Sequence, residues 1–198
     1  MNDGRLEADD FGALLPLIEE YAYNPYRDYR MIKRRARVAV LAAEVEATLR
    51  HPDGMVLACE REGGSAATVA RRLAWDSDFF GVPMARIEYV LGSDDGARRA
   101  AVAATLAELG AAGVRHVAAR VDVGNVAGAA LLEDCGFRLR DALVTYVSRP
   151  GKEPAREVRA LGTVRMFREE DGPGVVAIAR EAFRGFHSRF HADPDLPR

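Results

Sequence analysis

One segment, LAWDSDFFGVP, concentrates side chains of the kind that bind ligands. It holds the single tryptophan of the chain, Trp75, together with Asp76, Asp78 and the adjacent Phe79 and Phe80. Aromatic faces stack on a base or a sugar ring, and carboxylates accept hydrogen bonds from hydroxyl or ammonium groups. We therefore expect these five residues to bind substrate. The alternative is that the aromatic residues close one end of a sheet and that the aspartates form a turn.

The spacing of apolar residues predicts the elements that must position this segment. We expect helices at about 11–21, 37–50, 94–109 and 125–136, and strands at about 55–61, 67–75, 85–92, 114–122 and 138–150. The order ααβββαβαβ predicts an α/β (α+β) fold with a mixed sheet covered on both faces, because alternating helices and strands form right-handed crossovers. In the 85–92 strand, Ile87, Tyr89 and Leu91 alternate on one side.

The end of the chain is similar to its beginning. Asp171 lies 161 positions after Asp10, and each precedes an amphipathic helical pattern. Internal similarity at this spacing indicates a tandem duplication, although two capped helices can also agree by chance. We predict one domain at 1–150, a linker at 151–162, and at 163–198 the strand and first helix of an incomplete second copy.

The segment NVAGAALLEDCGF carries a resemblance to a known family. The segment resembles the late helix motif of the GCN5-related N-acetyltransferases at Asn125, Leu131, Leu132, Gly136 and Phe137. The fold of that family also has a similar element order. The resemblance implies two splayed strands that admit acetyl-CoA as co-substrate, with its pyrophosphate at a helix N-terminus, where free amides favour an anion. The residues it assigns to the cofactor are Leu91, Gly92, Gly96 and Asn125.

The sequence departs from that family at two places. Asp94 and Asp95 put two negative charges where the pyrophosphate would lie. The family's general acid is a Tyr seven residues after the motif Asn, and Leu132, which cannot donate a proton, holds that position here. The catalytic residues therefore stay unknown. Either a variant loop still binds acetyl-CoA, or the domain is non-catalytic and serves recognition of a substrate or partner.

From Leu73 onward the chain resembles the dTDP-fucosamine acetyltransferase group, two-part enzymes that acetylate the amine of a nucleotide-linked amino sugar. The likeness rests on the Trp75 segment, the linker, EEDGPGVVAIAREAF and SRFHADP. It implies that the catalytic domain is the second one, most of which is missing from this sequence. The segment SRFHADP would line the acceptor site of that domain. There Arg189 would pair with a phosphate of the nucleotide sugar, and His191 would assist deprotonation of an amine. The alternative is a solvated loop.

Composition excludes several other classes of function. The chain has 198 residues, 48% of them hydrophobic, and a net charge of −2, so we expect neither nucleic-acid binding nor attraction to anionic membranes. No apolar run approaches the ~18 residues of a membrane span and no leader peptide opens the chain, which predicts the cytoplasm. Two cysteines form no disulfide framework. His187 and His191 lack a third ligand, so no metal is expected.

Together these features predict an N-acetyltransferase that transfers an acetyl group from acetyl-CoA to the amine of a small acceptor, which is the expected partner. The activity of this chain alone is left open, as is a homodimer. The alternative is a degenerate acetyltransferase domain without catalysis.

Overall fold

The computed structural model describes residues 4–144, 162–182, 184, 190 and 193–196. The chain divides into two compact units, and the boundary between them in the sequence follows Arg138. The division therefore falls ahead of the predicted linker, whose residues 151–161 lie outside the described residues. No helix in the described ranges has the length and apolar character needed to cross a membrane.

A five-stranded mixed sheet forms the centre of the first unit. Its strands, in both chain and spatial order, are β1 (Gly4–Arg5), β2 (Gly54–Arg61), β3 (Gly64–Arg72), β4 (Met84–Leu91) and β5 (His116–Ala119). The first four are antiparallel neighbours, and β5 runs parallel to β4. The sequence EGGS predicts a hairpin, and its first two residues, Glu62 and Gly63, form the turn between β2 and β3.

Helices cover both faces of this sheet. They are α1 (Phe11–Glu20), α2 (Arg34–Leu49), α3 (Ala74–Phe80), α4 (Asp95–Ala111) and α5 (Val126–Asp134). Successive side chains of a strand point to opposite faces. Accordingly, Val56 of β2 packs in one cluster with Leu14 of α1, whereas the preceding Met55 packs in another with Leu109 of α4. The prediction of a mixed sheet covered on both faces is confirmed.

The Trp75 segment is a helix, and the predicted 67–75 strand is wrong beyond Arg72. Consecutive residues of a helix are rotated by about 100°, so Phe80 enters the core while the neighbouring Phe79 faces solvent. The hydroxyl of Ser77 donates to the Leu73 carbonyl at 2.6 Å and accepts from the Met84 N–H at 2.9 Å. The second of these bonds attaches α3 to the start of β4.

Two other predicted strands are shorter than expected. The 114–122 strand pairs only over His116–Ala119, and residues 138–144 have no regular secondary structure. The rest of the predicted 138–150 strand lies outside the described residues. A strand persists only where a neighbour supplies backbone hydrogen bonds, and alternating apolar residues do not by themselves supply that neighbour.

The second unit contains a helix, α6 (Gly172–Ala182), with the same start as α1. A three-residue 3₁₀ turn precedes each helix and ends at Asp10 or Asp171. The Asp10 carboxylate accepts the Glu7 backbone N–H at 2.8 Å, and the Asp171 carboxylate accepts the Arg168 backbone N–H at 2.9 Å. The internal similarity predicted from sequence therefore extends to the local backbone structure.

The two equivalent helices differ in burial. Leu14 of α1 is fully buried, whereas Val175, its counterpart in α6, is 51% exposed and Ile178 is 71% exposed. Residues 163–168, where a strand was predicted ahead of α6, form none.

Candidate functional site

Strands β4 and β5 separate after four residue pairs. Their parallel register runs from Met84 opposite His116 to Ile87 opposite Ala119, whereas β4 continues to Leu91 in its pairing with β3. A last hydrogen bond of 3.3 Å joins the Arg120 N–H to the Ile87 carbonyl. Residues 88–91 of β4 therefore have no partner in β5, and we call the gap beside them the wedge.

A β-bulge lies at the beginning of the wedge. Val69 of β3 is opposite Tyr89, and the next residue, Ala70, is opposite Ile87, so Glu88 is an extra residue in β4. The bulge breaks the predicted alternation: Ile87 packs towards α4 and α5, whereas Tyr89 and Leu91 pack with α1 and α2. The bulge thus places the Tyr89 ring on the α1–α2 side of the wedge.

Tyr89 holds a carboxylate in a defined place beside the wedge. Its hydroxyl donates to the Glu44 carboxylate of α2, and its ring packs edge-to-face on Tyr21 with centroids 6.0 Å apart. Burial, and then the bond to Glu44, raise the pKa of Tyr89, so the phenol stays neutral and remains a donor. Burial and the charge of Asp122 likewise raise the pKa of Tyr21 to about 12.

The segment between α1 and α2 is attached to the chain that leaves β5. Arg27 forms an ion pair with Asp122 at 2.8 Å, and the Tyr23 hydroxyl donates to the Gly124 carbonyl at 3.2 Å. The Arg27 guanidinium also lies over the Tyr23 ring, 4.9 Å from its centroid. We call these contacts the clasp. It joins the two sides of the wedge, because Tyr21 packs on β4 and Asp122 follows β5.

The predicted cofactor loop begins the helix α4, but its polar groups are already engaged. Asp94 is the N-cap and accepts the Ala97 N–H at 2.6 Å, while Asp95 pairs with Arg98. The Asp94 carboxylate thus occupies the position in which a phosphate oxygen would accept a hydrogen bond from this first-turn N–H. These residues do not fit a pyrophosphate in the way the family resemblance implies.

The glycine and the leucine of that loop have structural roles. Gly92 has a φ of +108°, and a Cβ there would lie 2.6 Å from the Ser65 carbonyl oxygen. Leu91 is fully buried in the core. Gly96 lies in the first turn of α4. The missing side chain of Gly92 therefore makes room for the neighbouring strand β3, and Leu91 offers a ligand only its main chain.

Asn125 positions the start of α5 rather than pointing freely into the wedge. Its side-chain oxygen accepts the Gly128 N–H at 2.9 Å, as an N-cap does. A Cβ at position 128 would lie 2.5 Å from the Asn125 amide nitrogen, so the glycine makes room for the cap. Leu132, at the place of the family's proton donor, is buried.

The residues expected to bind substrate lie at the opposite end of the sheet from the wedge. Helix α3 follows Arg72, which pairs with Ala85 at the start of β4, and the wedge lies at the end of β4. Trp75 and Phe79 are 71% and 59% exposed and stack with centroids 5.4 Å apart. Of the three aromatic residues, only Phe80 is buried in the core.

The aspartates of α3 are helical rather than turn residues, and Asp76 and Asp78 form no ion pair within the described residues. Arg189 and His191 lie outside the described residues, so their roles remain predictions. Within the described ranges no group of three or more metal-binding side chains occurs. Cys59 and Cys135 do not form a disulfide with each other.

Sequence reasoning missed Glu44, Tyr89 and Asp122. Each lies in a predicted helix or strand, where a charged or aromatic residue is ordinary. The segment YNPYRDYR, with three aromatic residues around a proline, is the one local signal of the clasp, since it contains Tyr23 and Arg27.

No protein-family model and no curated protein sequence matches this chain. Solved structures do match. The aminoglycoside acetyltransferase meta-AAC0020 from an uncultured soil metagenomic sample, in complex with sisomicin, is 12% identical with a TM-score of 0.53, over 75% of this chain and 95% of that one. The aminoglycoside N-acetyltransferase AAC(6')-Iy in complex with CoA is 14% identical with a TM-score of 0.51, over 75% and 94%.

A ribosomal-protein-alanine N-acetyltransferase from Brucella melitensis biovar Abortus is also similar, with 14% identity and a TM-score of 0.52 over 75% of this chain and 98% of that one. At these identities the likeness shows the fold alone. The fold predicted from the element order, that of the GCN5-related N-acetyltransferases, is confirmed.

Proposed function

We propose that this protein is an N-acetyltransferase that uses acetyl-CoA to acetylate the amine of a small acceptor at the wedge. The observation that carries the proposal is the separation of β4 from β5 after Ile87. It leaves backbone donors and acceptors of residues 88–91 without a partner in β5, and an extended amide-containing arm can pair with such a strand. Several solved structures with this fold bear the name of acetyltransferase, and one is a CoA complex.

Glu44 is the proposed proton acceptor for the amine. Acetyl-CoA supplies an activated acetyl group as a thioester; the amine nitrogen forms a bond to the acetyl carbon while the carbon–sulfur bond breaks. The amine must lose a proton, and the Glu44 carboxylate, held by the Tyr89 hydroxyl, lies on the α1–α2 side of the wedge to accept it. The departing thiolate takes up a proton from solvent, because Leu132 provides none.

The acceptor is proposed to be an amino sugar, on the resemblance of the chain from Leu73 onward to acetyltransferases of nucleotide-linked amino sugars. The same resemblance implies that the chain is part of a two-part enzyme. The equivalent aspartate hydrogen bonds ahead of α1 and α6 support a second copy of the domain. Arg189 and His191 remain the proposed acceptor residues of that second copy.

The test is release of free CoA thiol from acetyl-CoA in the presence of a panel of amino sugars and simple amines. We expect release above background with the parent protein. We also expect release to fall at least tenfold in Glu44→Gln, with the pH profile shifted because a carboxylate has been removed. Glu46→Gln, two residues further along α2 and outside the Tyr89 bond, is the matched control. Absence of release with every amine would refute autonomous catalysis.

A second function is favoured by the Asp94 cap. A fold whose anion-binding helix start is filled by its own carboxylate, and whose proton-donor position is Leu132, suits a non-catalytic domain that recognises a substrate or partner. Calorimetry with acetyl-CoA separates the two functions. Micromolar binding supports the enzyme, and absence of binding at millimolar concentration supports the recognition domain.

A further inference from the structure

A cavity of about 410 Å³ lies beside α3, at the opposite end of the sheet from the wedge. Its volume is within the range of sites that hold small molecules. Pro83 and Val114 contribute apolar surface, and Asp53, Arg72 and Asp78 contribute charge. The cavity therefore combines an apolar floor with one guanidinium and two carboxylates.

The three charged groups differ in how far they are already paired. Arg72 forms an ion pair with Asp53 at 3.1 Å, and its side chain is 50% exposed. A guanidinium has five N–H donors, so one such pair leaves donors for a further anion. Asp78 has no ion pair within the described residues. The cavity thus offers donors at one place and an acceptor at another.

The end of α4 adds to the preference of this cavity for a cation. Ala112, which follows the last residue of this 17-residue helix, lines the cavity. The C-terminal end of a helix carries partial negative charge from its last carbonyl groups. A positively charged group of a ligand is therefore favoured in this cavity, and a negatively charged group is favoured beside Arg72.

The walls of the cavity are held in place before any ligand binds. The Ser77 hydroxyl bridges the Leu73 carbonyl and the Met84 N–H, at 2.6 and 2.9 Å, and Ser77 itself lines the cavity. A pocket that is already ordered loses little conformational entropy on binding. The bridge thus favours binding of a small ligand rather than closure of the cavity.

We infer that this cavity binds a small zwitterion with an apolar side chain, such as an α-amino acid. Its carboxylate would pair with Arg72, its ammonium with Asp78, and its side chain would lie over Pro83 and Val114. The site is separate from the wedge: at about 3.3 Å per residue, the four or more residues from Met84 to the start of the wedge span more than ~10 Å. The ligand is therefore not the acceptor that would be acetylated.

The experiment titrates the parent protein with L-leucine by calorimetry or amide NMR, with 3-methylbutylamine and 4-methylpentanoate as probes that each lack one charge. We expect saturable binding of L-leucine at concentrations up to about 10 mM, and at least tenfold weaker binding of both analogues, equivalent to about 1.4 kcal/mol. None of these readouts depends on acetyltransferase activity.

Matched variants locate the site. Asp78→Asn should weaken L-leucine binding at least tenfold, whereas Asp76→Asn, which removes a carboxylate of the same helix outside the cavity lining, should leave it unchanged. Arg72→Lys keeps the positive charge and should weaken L-leucine binding less than Arg72→Gln does. Circular dichroism checks that each variant is folded. Equal binding of the amine and L-leucine, equal effects of the two aspartate variants, or no saturable binding would overturn the inference.

Discussion

Replacing Asp94 by serine should strengthen binding of acetyl-CoA. The Asp94 carboxylate accepts the Ala97 N–H at 2.6 Å, which is where a phosphate oxygen would be held at the start of α4. A phosphate bound at this helix turn would then lie within about 4 Å of the carboxylate. Two like charges at that distance repel by about 4 kcal/mol at an effective dielectric constant of 20, and salt reduces this value.

The expected gain after screening is at least ~1.4 kcal/mol, which corresponds to a tenfold lower Kd for acetyl-CoA. Serine is as good an N-cap as aspartate, so the free energy of unfolding should change by less than about 0.5 kcal/mol. Calorimetry measures the Kd, and denaturant unfolding measures the stability. Asp94→Ala serves as a further variant: it should lose about 1 kcal/mol of stability with the cap while keeping the gain in affinity.

Asp95→Ser is the matched control for this prediction. It removes the same charge from the adjacent residue, but the Asp95 side chain is 73% exposed and pairs with Arg98 instead of capping the helix. We expect Asp95→Ser to change the free energy of acetyl-CoA binding by less than half as much as Asp94→Ser does. Unchanged or weaker acetyl-CoA binding in Asp94→Ser, or an equal gain in Asp95→Ser, would show that the carboxylate does not compete with the pyrophosphate.

Three further predictions concern the scaffold around the site. The hydroxyls of Thr68 and Thr105 hydrogen-bond to each other in the core, so either single Thr→Val change should cost about 1–3 kcal/mol and the double change much less; denaturant unfolding of the four proteins tests this. Because burial raises the pKa of Tyr21 to about 12, its proton is held more tightly in the folded state. The contribution of Tyr21 to stability should therefore be constant below pH 10 and fall from pH 10 to about 12, and Tyr21→Phe should reduce that fall when unfolding is measured against pH. Gly92→Ala combines a φ of +108° with a 2.6 Å contact to the Ser65 carbonyl, and should lower the melting temperature more than Gly96→Ala, as calorimetry can show.

Much of the fold could be predicted from local signals in the sequence. The spacing of Leu14, Leu17 and Ile18 predicted α1, and these residues are buried as that spacing requires. The EGGS turn predicted the β2–β3 hairpin, and Asn125 marked the start of α5. These signals work because helical periodicity, capping and turn formation depend on residues within a few positions of each other.

The site depended on contacts between distant parts of the chain. No local rule distinguishes a strand end from a seven-residue helix in the Trp75 segment, and the exposure of Trp75 follows only from how α3 docks on β4. The Glu88 bulge turns Tyr89 towards Glu44, 45 positions earlier, and the clasp joins Arg27 to Asp122. The sequence by itself determined the helices α1, α2, α4 and α5 and the strands β2 to β4 in their order, but not the helix α3 or the length of β5. The wedge was decided only by the tertiary structure, because it arises where backbone pairing between β4 and β5 stops.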